Sequence, residues 1–268
     1  MPSKPLVTLL TDFGARDPFV GIMKGVILGI CPDASLVDLC HEVPPQEILG
    51  ASFLLQTAVP VFPAGTIHVA VVDPGVGGAR RPILAQIDGQ LFVAPDNGLL
   101  SHLFASAGQK RVRHLVAQEY WRHPVNASFH GRDIFAPVAG HLAAGVPPAR
   151  LGPEIGDPVS LDIPRPALDA GRIRGTVMWV DRFGNCITNI PQAALASVAG
   201  GGSVRLHVAG RPVGSLVGCF GEVPPGETGA IVGSAGYVEL FCNGGNLAGQ
   251  WSLAPRDPVV LEVTGGRR

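Results

Sequence analysis

The sequence predicts an α/β N-terminal domain, with a mainly parallel sheet flanked by helices, followed by a small antiparallel β-barrel. Three observations lead there. In the first half, short apolar runs alternate with helical stripes, the order that builds a layered α/β domain. After Pro147 the alternation stops and a proline-rich stretch, Leu151–Ala170, intervenes. Beyond it come short strand patterns separated by glycine joints, without helical stripes between them. The break places the expected domains at residues 1–165 and 170–268.

The elements follow in order. Pro5–Thr11 reads as a buried strand that runs out at the turn Asp12-Phe13-Gly14. Phe19–Ile30 carries apolar residues at 19, 20, 22, 23, 26, 27 and 30, a helical stripe. Leu36–Leu39 is a second strand, and Pro44–Val59 a helix bounded by Pro-Pro and Pro60. Thr66–Val72 is an almost wholly apolar strand stopped by Asp73-Pro74-Gly75. Ile83–Asp88 and Gln90–Ala94 surround Asp88-Gly89, a hairpin signal. Asn97–Phe104 and Asp133–Ala144 have helical patterns. In the second half the strands expected are Arg172–Val180, Ser203–Val208, Arg211–Val217, Ala230–Val232, Tyr237–Cys242 and Pro258–Val263. Their joints are Gly200-Gly201-Gly202, Gly233 and Gly244-Gly245.

Composition narrows the function. Hydrophobic residues make up 46% and charged residues 15% of 268, the reverse of a disordered chain. The formal charge is −1 with no basic patch, which argues against a nucleic-acid partner. Apolar runs such as Gly25–Ile30 fall far below the roughly 20 residues of a bilayer span. Met1 to Leu10 is too short for a signal peptide. Five cysteines cannot all pair and read as buried apolar thiols in a reducing compartment. The expectation is a soluble cytoplasmic protein. The eight histidines form no HxxxH or HExxH, so no metal is expected.

Candidate chemistry gathers at the ends of strands, where open α/β sheets bind ligands. Asp12 and Asp73 each follow an apolar strand; either is a turn cap or a functional carboxylate. Asp73-Pro74-Gly75-Val76-Gly77-Gly78-Ala79-Arg80-Arg81 offers a phosphate cradle, a plain surface turn, or backbone that a bulky ligand approaches closely. It lacks the Lys-Ser/Thr ending of a P-loop and does not fit GxGxxG. Phe129-His130-Gly131-Arg132-Asp133 is weak alone, since Asp133 suits a helix cap. Asp181-Arg182-Phe183-Gly184-Asn185 ends the strand Arg172–Val180 and reads first as a hairpin turn. Ser234-Ala235-Gly236-Tyr237 and Asn243-Gly244-Gly245-Asn246 bracket a strand and place glycines beside polar groups.

Taken together, these motifs resemble the S-adenosylmethionine hydroxide adenosyltransferases, relatives of fluorinases and chlorinases. The resemblance spans nearly the whole chain: Thr11-Asp12-Phe13-Gly14, Asp73 to Gly77 with Arg80, residues 129–133, Asp181 to Asn189, and Ser234 to Asn246. It implies hydrolysis of S-adenosylmethionine to adenosine and methionine, with no cofactor. It also implies a homotrimer with its ligand between the first domain of one subunit and the second domain of a neighbour. Residue by residue, it implies that Asp12 holds the ribose hydroxyls, and that Asp17 and Asp181 lie near the methionine part. Asn185 and the backbone around Gly244, beside Asn243, match adenine contacts, with Phe183 and Phe220 as ring-packing partners. Ser234 matches a contact to the methionine carboxylate.

Asp73, Arg80 and His130 match the trio with which hydrolytic members hold and polarise water. Halogenases that match at position 73 carry a tyrosine there, because a carboxylate would repel a halide. The fluorinase pattern also has serine where this chain has Gly131, and an extra loop for which Arg80–Asp96 leaves little room. The alternatives are a halogenase, and a protein that binds S-adenosylmethionine without turnover. The latter would need the ligand contacts but not the trio. Any of the three residues is a candidate for taking the proton.

Overall fold

A computed structural model describes residues 4–169, 171–198 and 203–264. The chain divides into two compact units, Met1–Ile163 and Pro164–Arg268.

The first unit holds a seven-stranded sheet. Its strands are β1 (Leu6–Thr11), β2 (Ser35–Cys40), β3 (Ile67–Val71), β4 (Pro82–Ile87), β5 (Gln90–Pro95), β6 (Lys110–His114) and β7 (Glu154–Ile155), in the order β2-β1-β3-β5-β4-β6-β7. The sheet is mixed, which corrects the mainly parallel expectation. Pairings within β2-β1-β3-β5 are parallel, whereas β5-β4, β4-β6 and β6-β7 are antiparallel. The cause is local. Asp88 (φ 45) and Gly89 (φ 84) both take positive φ, the tight turn that forces β4 and β5 antiparallel.

Both faces of this sheet are covered. Helices α1 (Phe19–Ile30) and α4 (Ala136–Ala143) belong to the same core as Val7, Leu9, Val69 and Val71. On the other face, Leu10, Ala70, Val72 and Phe92 share a core with Leu55 of α2 (Ile48–Ala58) and Leu103 of α3 (Ser101–Ser106). The two-residue alternation along β1 and β3 therefore divides one apolar strand between two cores. Helix α2 starts later than expected because Pro44 and Pro45 stay outside it. Glu47 caps it, its Oε1 accepting from the Gly50 N–H at 3.2 Å. A π-helical turn, Gly131–Phe135, leads into α4.

The second unit is an eight-stranded antiparallel sheet in a nearly closed, barrel-like form. Its strands are β8 (Ala167–Asp169), β9 (Arg172–Val180), β10 (Cys186–Pro191), β11 (Ser203–Val208), β12 (Arg211–Val213), β13 (Thr228–Val232), β14 (Tyr237–Cys242) and β15 (Pro258–Thr264). The order β12-β11-β15-β9-β10-β14-β13 is drawn toward closure by a parallel bridge between Leu216 and Ala230. Its interior holds Ile173, Val177, Leu206, Val238, Leu240 and Leu261.

Several expectations change here. The stretch Leu151–Ala170 carries β7 and β8 rather than serving only as a linker. Helices α5 (Gln192–Val198) and α6 (Leu247–Trp251) stand where none was expected. Strand β12 ends at Val213, short of Val217. The Gly200-Gly201-Gly202 joint lies outside the described residues. The five cysteines are free thiols. Cys31, Cys186 and Cys242 are buried, Cys40 is half-buried, and Cys219 is exposed, unlike the buried thiol expected. Among the described residues no helix is long and apolar enough to cross a membrane.

Candidate active site

Parallel pairing sets Thr11 beside Val71, so the loops leaving β1 and β3 open at one edge of the sheet. That edge carries a cavity of about 440 Å³, lined by Asp12, Asp73, His130 and an aromatic wall. The wall is Phe13, Phe19 and Phe129, packed edge to face with centroids 5.3 to 5.9 Å apart. Asp12 is fixed from below. Its Oδ2 accepts from the Gln46 N–H at 3.0 Å, and Gln46 takes φ 68 to present that group. Thr11 Oγ1 accepts from the Phe13 N–H at 3.2 Å, and the Gly14 N–H bonds the His41 carbonyl at 2.7 Å.

Asp73, Arg80 and His130 are brought together. Arg80 Nε donates to Asp73 Oδ1 and Oδ2 at 2.9 Å each, and a terminal nitrogen of Arg80 also bonds Oδ2. The same terminal nitrogen meets His130 Nδ1 at 2.7 Å. The pair is secluded, with side chains 4% exposed for Asp73 and 9% for Arg80. Phe135 lies beneath the guanidinium, 5.3 Å from ring centroid to its carbon.

A guanidinium only donates, so His130 Nδ1 must accept and the ring is neutral with its hydrogen on Nε2. Burial, then the Arg80 charge, hold the His130 pKa below its usual 6.5, in agreement with that state.

Two supports place these loops. Gly77 has φ 75, and a Cβ there would lie 2.4 Å from the Ala127 carbonyl oxygen. Only glycine lets the Asp73–Arg80 loop press this closely on the loop that carries His130. Asp133, fully buried, does not cap a helix as expected. Its carboxylate accepts from Arg132, Arg122 and the Asn126 N–H, tying the ends of the 122–133 loop together. Burial raises its pKa, but these bonds outweigh that and hold it below the usual value.

The second unit carries its own cavity, of about 940 Å³, lined by Asp181, Phe183, Asn185, Phe220, Ser234, Asn243 and Gly244. All seven residues singled out in this half of the sequence thus share one wall. Asp181 Oδ1 accepts from the N–H groups of Phe183 (2.9 Å) and Asn185 (2.8 Å), and its Oδ2 from Asn185 Nδ2 at 3.1 Å. Asn243 Nδ2 donates to the Val223 carbonyl at 2.6 Å and so braces the rim. Phe220 packs edge-on against Phe241 at 4.7 Å, while Phe183 is 74% exposed. Asp17 is exposed and lines neither cavity.

Sequence reasoning missed Gln46, Phe19 and Glu239. Gln46 left no signal. Phe19 was visible only as part of a helical stripe. Glu239 is the one charged residue in the apolar run of β14, and it lines the second cavity. Burial, then the Asp181 charge, raise its pKa. Among the described residues no three His, Cys, Asp or Glu side chains converge to hold a metal ion.

Comparison with known proteins agrees with this layout. Residues 7–152 match the SAM hydroxide adenosyltransferase N-terminal domain, and residues 175–260 the corresponding C-terminal domain. A protein of Thermus thermophilus named (R)-S-adenosyl-L-methionine hydrolase is 40% identical, over 95% of this chain and 98% of its own. One of the same name from Salinispora tropica is 38% identical, over 99% of this chain and 100% of its own. A fluorinase of Nocardia brasiliensis is more distant, at 26% over 97% of each chain. The crystal structure of a conserved protein from Thermotoga maritima superposes with a TM-score of 0.90 at 36% identity, covering 95% of this chain and 99% of that one. Both family domains match in order, and relatives are similar from end to end: the chain belongs to the S-adenosylmethionine hydroxide adenosyltransferase family.

Proposed function

We propose that this protein hydrolyses S-adenosyl-L-methionine to adenosine and L-methionine, by in-line attack of water on the ribose 5′ carbon. The observation that carries the reading is Arg80 bound at once to Asp73 and His130 in the wall of a cavity that Asp12 also lines. The water oxygen forms a bond to C5′ as the C5′–S bond breaks, and the electron pair leaves with sulfur as the thioether of methionine. A sulfonium departs without help from an acid. What the reaction needs is a positioned water and an acceptor for its proton.

The trio supplies both. His130, neutral with Nε2–H, donates to the water oxygen and cannot take the proton without giving up Arg80. Asp73 is therefore the acceptor in this reading, and Arg80 stabilises the hydroxide character that develops. Asp12 holds the ribose. The second cavity takes adenine on Phe183, Phe220, Asn185, Asn243 and Gly244, and the methionine end on Asp181 and Ser234. Asp17 enters this reading only as an outer charge near the substrate's ammonium. The homotrimer, the cytoplasmic setting and the lack of a cofactor are parts of the same proposal. Light scattering of the purified protein tests the trimer.

Turnover in ¹⁸O-labelled water tests the reaction, with each sulfonium epimer in turn, because the named relatives act on the (R) form. Adenosine labelled at the 5′ oxygen, and lost in Asp73→Ala and His130→Ala, is the expected product. A 5′-chloro product in chloride would make the chain a halogenase. Tight binding without turnover would make it a sensor.

A further inference from the structure

The loop that carries Asp73 and Arg80 has to cross a strand. It leaves β3 and enters β4, yet β5 lies between those two in the sheet. Because β5 is parallel to β3 and antiparallel to β4, the loop passes over the carboxyl end of β5. The residues that emerge there, Asp96-Asn97, therefore stand between the two ends of the loop, and each binds one of them. Asn97 Nδ2 donates to the Val72 carbonyl at 2.8 Å, one residue before Asp73. The Asp96 N–H donates to the Arg81 carbonyl at 2.8 Å, one residue after Arg80, and Asp96 Oδ2 accepts from Arg81 Nε at 2.8 Å.

Both side chains are themselves held. The Asn97 amide has one orientation, because the Val72 carbonyl only accepts and the Leu99 N–H donates to Oδ1 at 3.2 Å. The Asp96 side chain is 1% exposed, and its other oxygen accepts from the Val159 N–H at 2.8 Å. Residues 157–161 lie across this turn. Asp157 accepts from a terminal nitrogen of Arg81 at 2.9 Å, and the Leu161 N–H donates to Ser101 Oγ at 2.8 Å. Gly98, at φ 94, admits the Leu161 side chain, whose Cγ would lie 2.4 Å from a Cβ there. Of the two adjacent arginines, Arg80 pairs with Asp73 within the loop, and Arg81 fastens the end of the loop to Asp96.

We infer that Asn97 and Asp96 are positioning residues for the hydrolysis, setting the span of the loop and with it the place where Asp73 and Arg80 hold the attacking water. This rests on the hydrolytic reading above and adds the residues that aim its proton acceptor. Neither lines the cavity, so both act through the loop. A carboxylate displaced by about 1 Å loses up to about a hundredfold in rate. Substrate affinity stays, because Asp12 belongs to a different loop, after β1.

Steady-state turnover of S-adenosylmethionine by the full-length protein tests this. Asn97→Asp keeps the acceptor for Leu99 but sets an oxygen against the Val72 carbonyl. Its kcat should fall by about ten- to a hundredfold, with KM within about twofold of the wild type. A defect of folding alone would scale kcat by the same factor in any background. Adding Asn97→Asp to Arg80→Lys separates the two cases: acting through the trio, it should cost less than about threefold there. Should Asn97→Asp not fold, Arg81→Lys carries the same expectation, since it keeps a charge beside Asp96 but loses the fork that reaches Asp96 and Asp157. A folded variant that keeps the wild-type kcat, or that loses the same factor with and without Arg80→Lys, overturns the positioning role and leaves the hydrolytic reading standing. A wild type that turns over neither epimer of S-adenosylmethionine overturns both.

Discussion

Acidification from pH 7 to pH 4.5 should destabilise the first unit through two buried histidines. His68 is fully buried in β3, its Nδ1 2.7 Å from Thr8 Oγ1 and its Nε2 3.1 Å from Gln90 Oε1, with the ring stacked on Phe92. His102 is 6% exposed, its Nδ1 3.0 Å from Ser52 Oγ. Burial pushes the pKa of each down to about 4. Both rings are therefore neutral in the fold, while the unfolded chain takes up protons near 6.5. Between these values the unfolded state binds more protons, so stability falls as pH falls. The contribution is complete above 6.5 and exhausted below about 4.

At 1.36 kcal/mol per pH unit, each histidine accounts for roughly 3.4 kcal/mol over the window, and the two for roughly 7 as an upper figure. That is a large part of the 5–15 kcal/mol typical of a domain. Urea unfolding at pH 7, 6 and 5 measures it. Trp121 fluorescence, in a Trp179→Phe/Trp251→Phe background, isolates the first unit. The slope should approach about 2.7 kcal/mol per pH unit near pH 5. His68→Gln/His102→Gln should flatten most of it. A wild type equally stable at pH 7 and pH 5, or a double variant with the full slope, would refute the reasoning.

Three further outcomes concern the site. Arg80→Lys keeps a charge but loses the fork that joins Asp73 to His130, so kcat in steady-state assays should fall by about two orders of magnitude with KM little changed. The pH–rate profile should have an acid limb below 6.5, since protonating His130 Nδ1 displaces Arg80 and burial delays that step; a limb above 6.5 would contradict it. Gly77→Ala forces a Cβ against the Ala127 carbonyl at positive φ, and should cost more than about 1 kcal/mol in thermal unfolding and lower kcat by displacing the His130 loop.

The parts of the fold legible in the sequence are those where one local force decides. Strands β1 and β3 are apolar because both faces are covered, and the hairpin after β4 needs only Asp88-Gly89. Strand β6 is the opposite case. Lys110-Arg111-Val112-Arg113-His114 buries only Val112, and its pairing with β4 depends on a partner more than twenty residues away. Helix α6 hid behind Asn243-Gly244-Gly245-Asn246, which reads as a turn. Asn246 is in fact its cap, with Oδ1 accepting from the Gly249 N–H at 2.6 Å.

The candidate site divides along the same line. Asp12 and Asp73 were visible because a charged residue after an apolar strand stands out, and the run from Asp181 to Asn185 because its hydrogen bonds are local. The Arg80–His130 contact joins residues fifty apart and follows only from Gly77 letting two loops touch. Glu239 was invisible for a subtler reason. A lone carboxylate in a strand reads as its solvent face, and only the register with β10, which sets Glu239 opposite Ile187, turns that face into the wall of a cavity. Spacing along the chain can name the residues that meet a ligand. The residues that hold those in place are chosen by pairing across the sheet, so this half of a site becomes readable only once the fold is known.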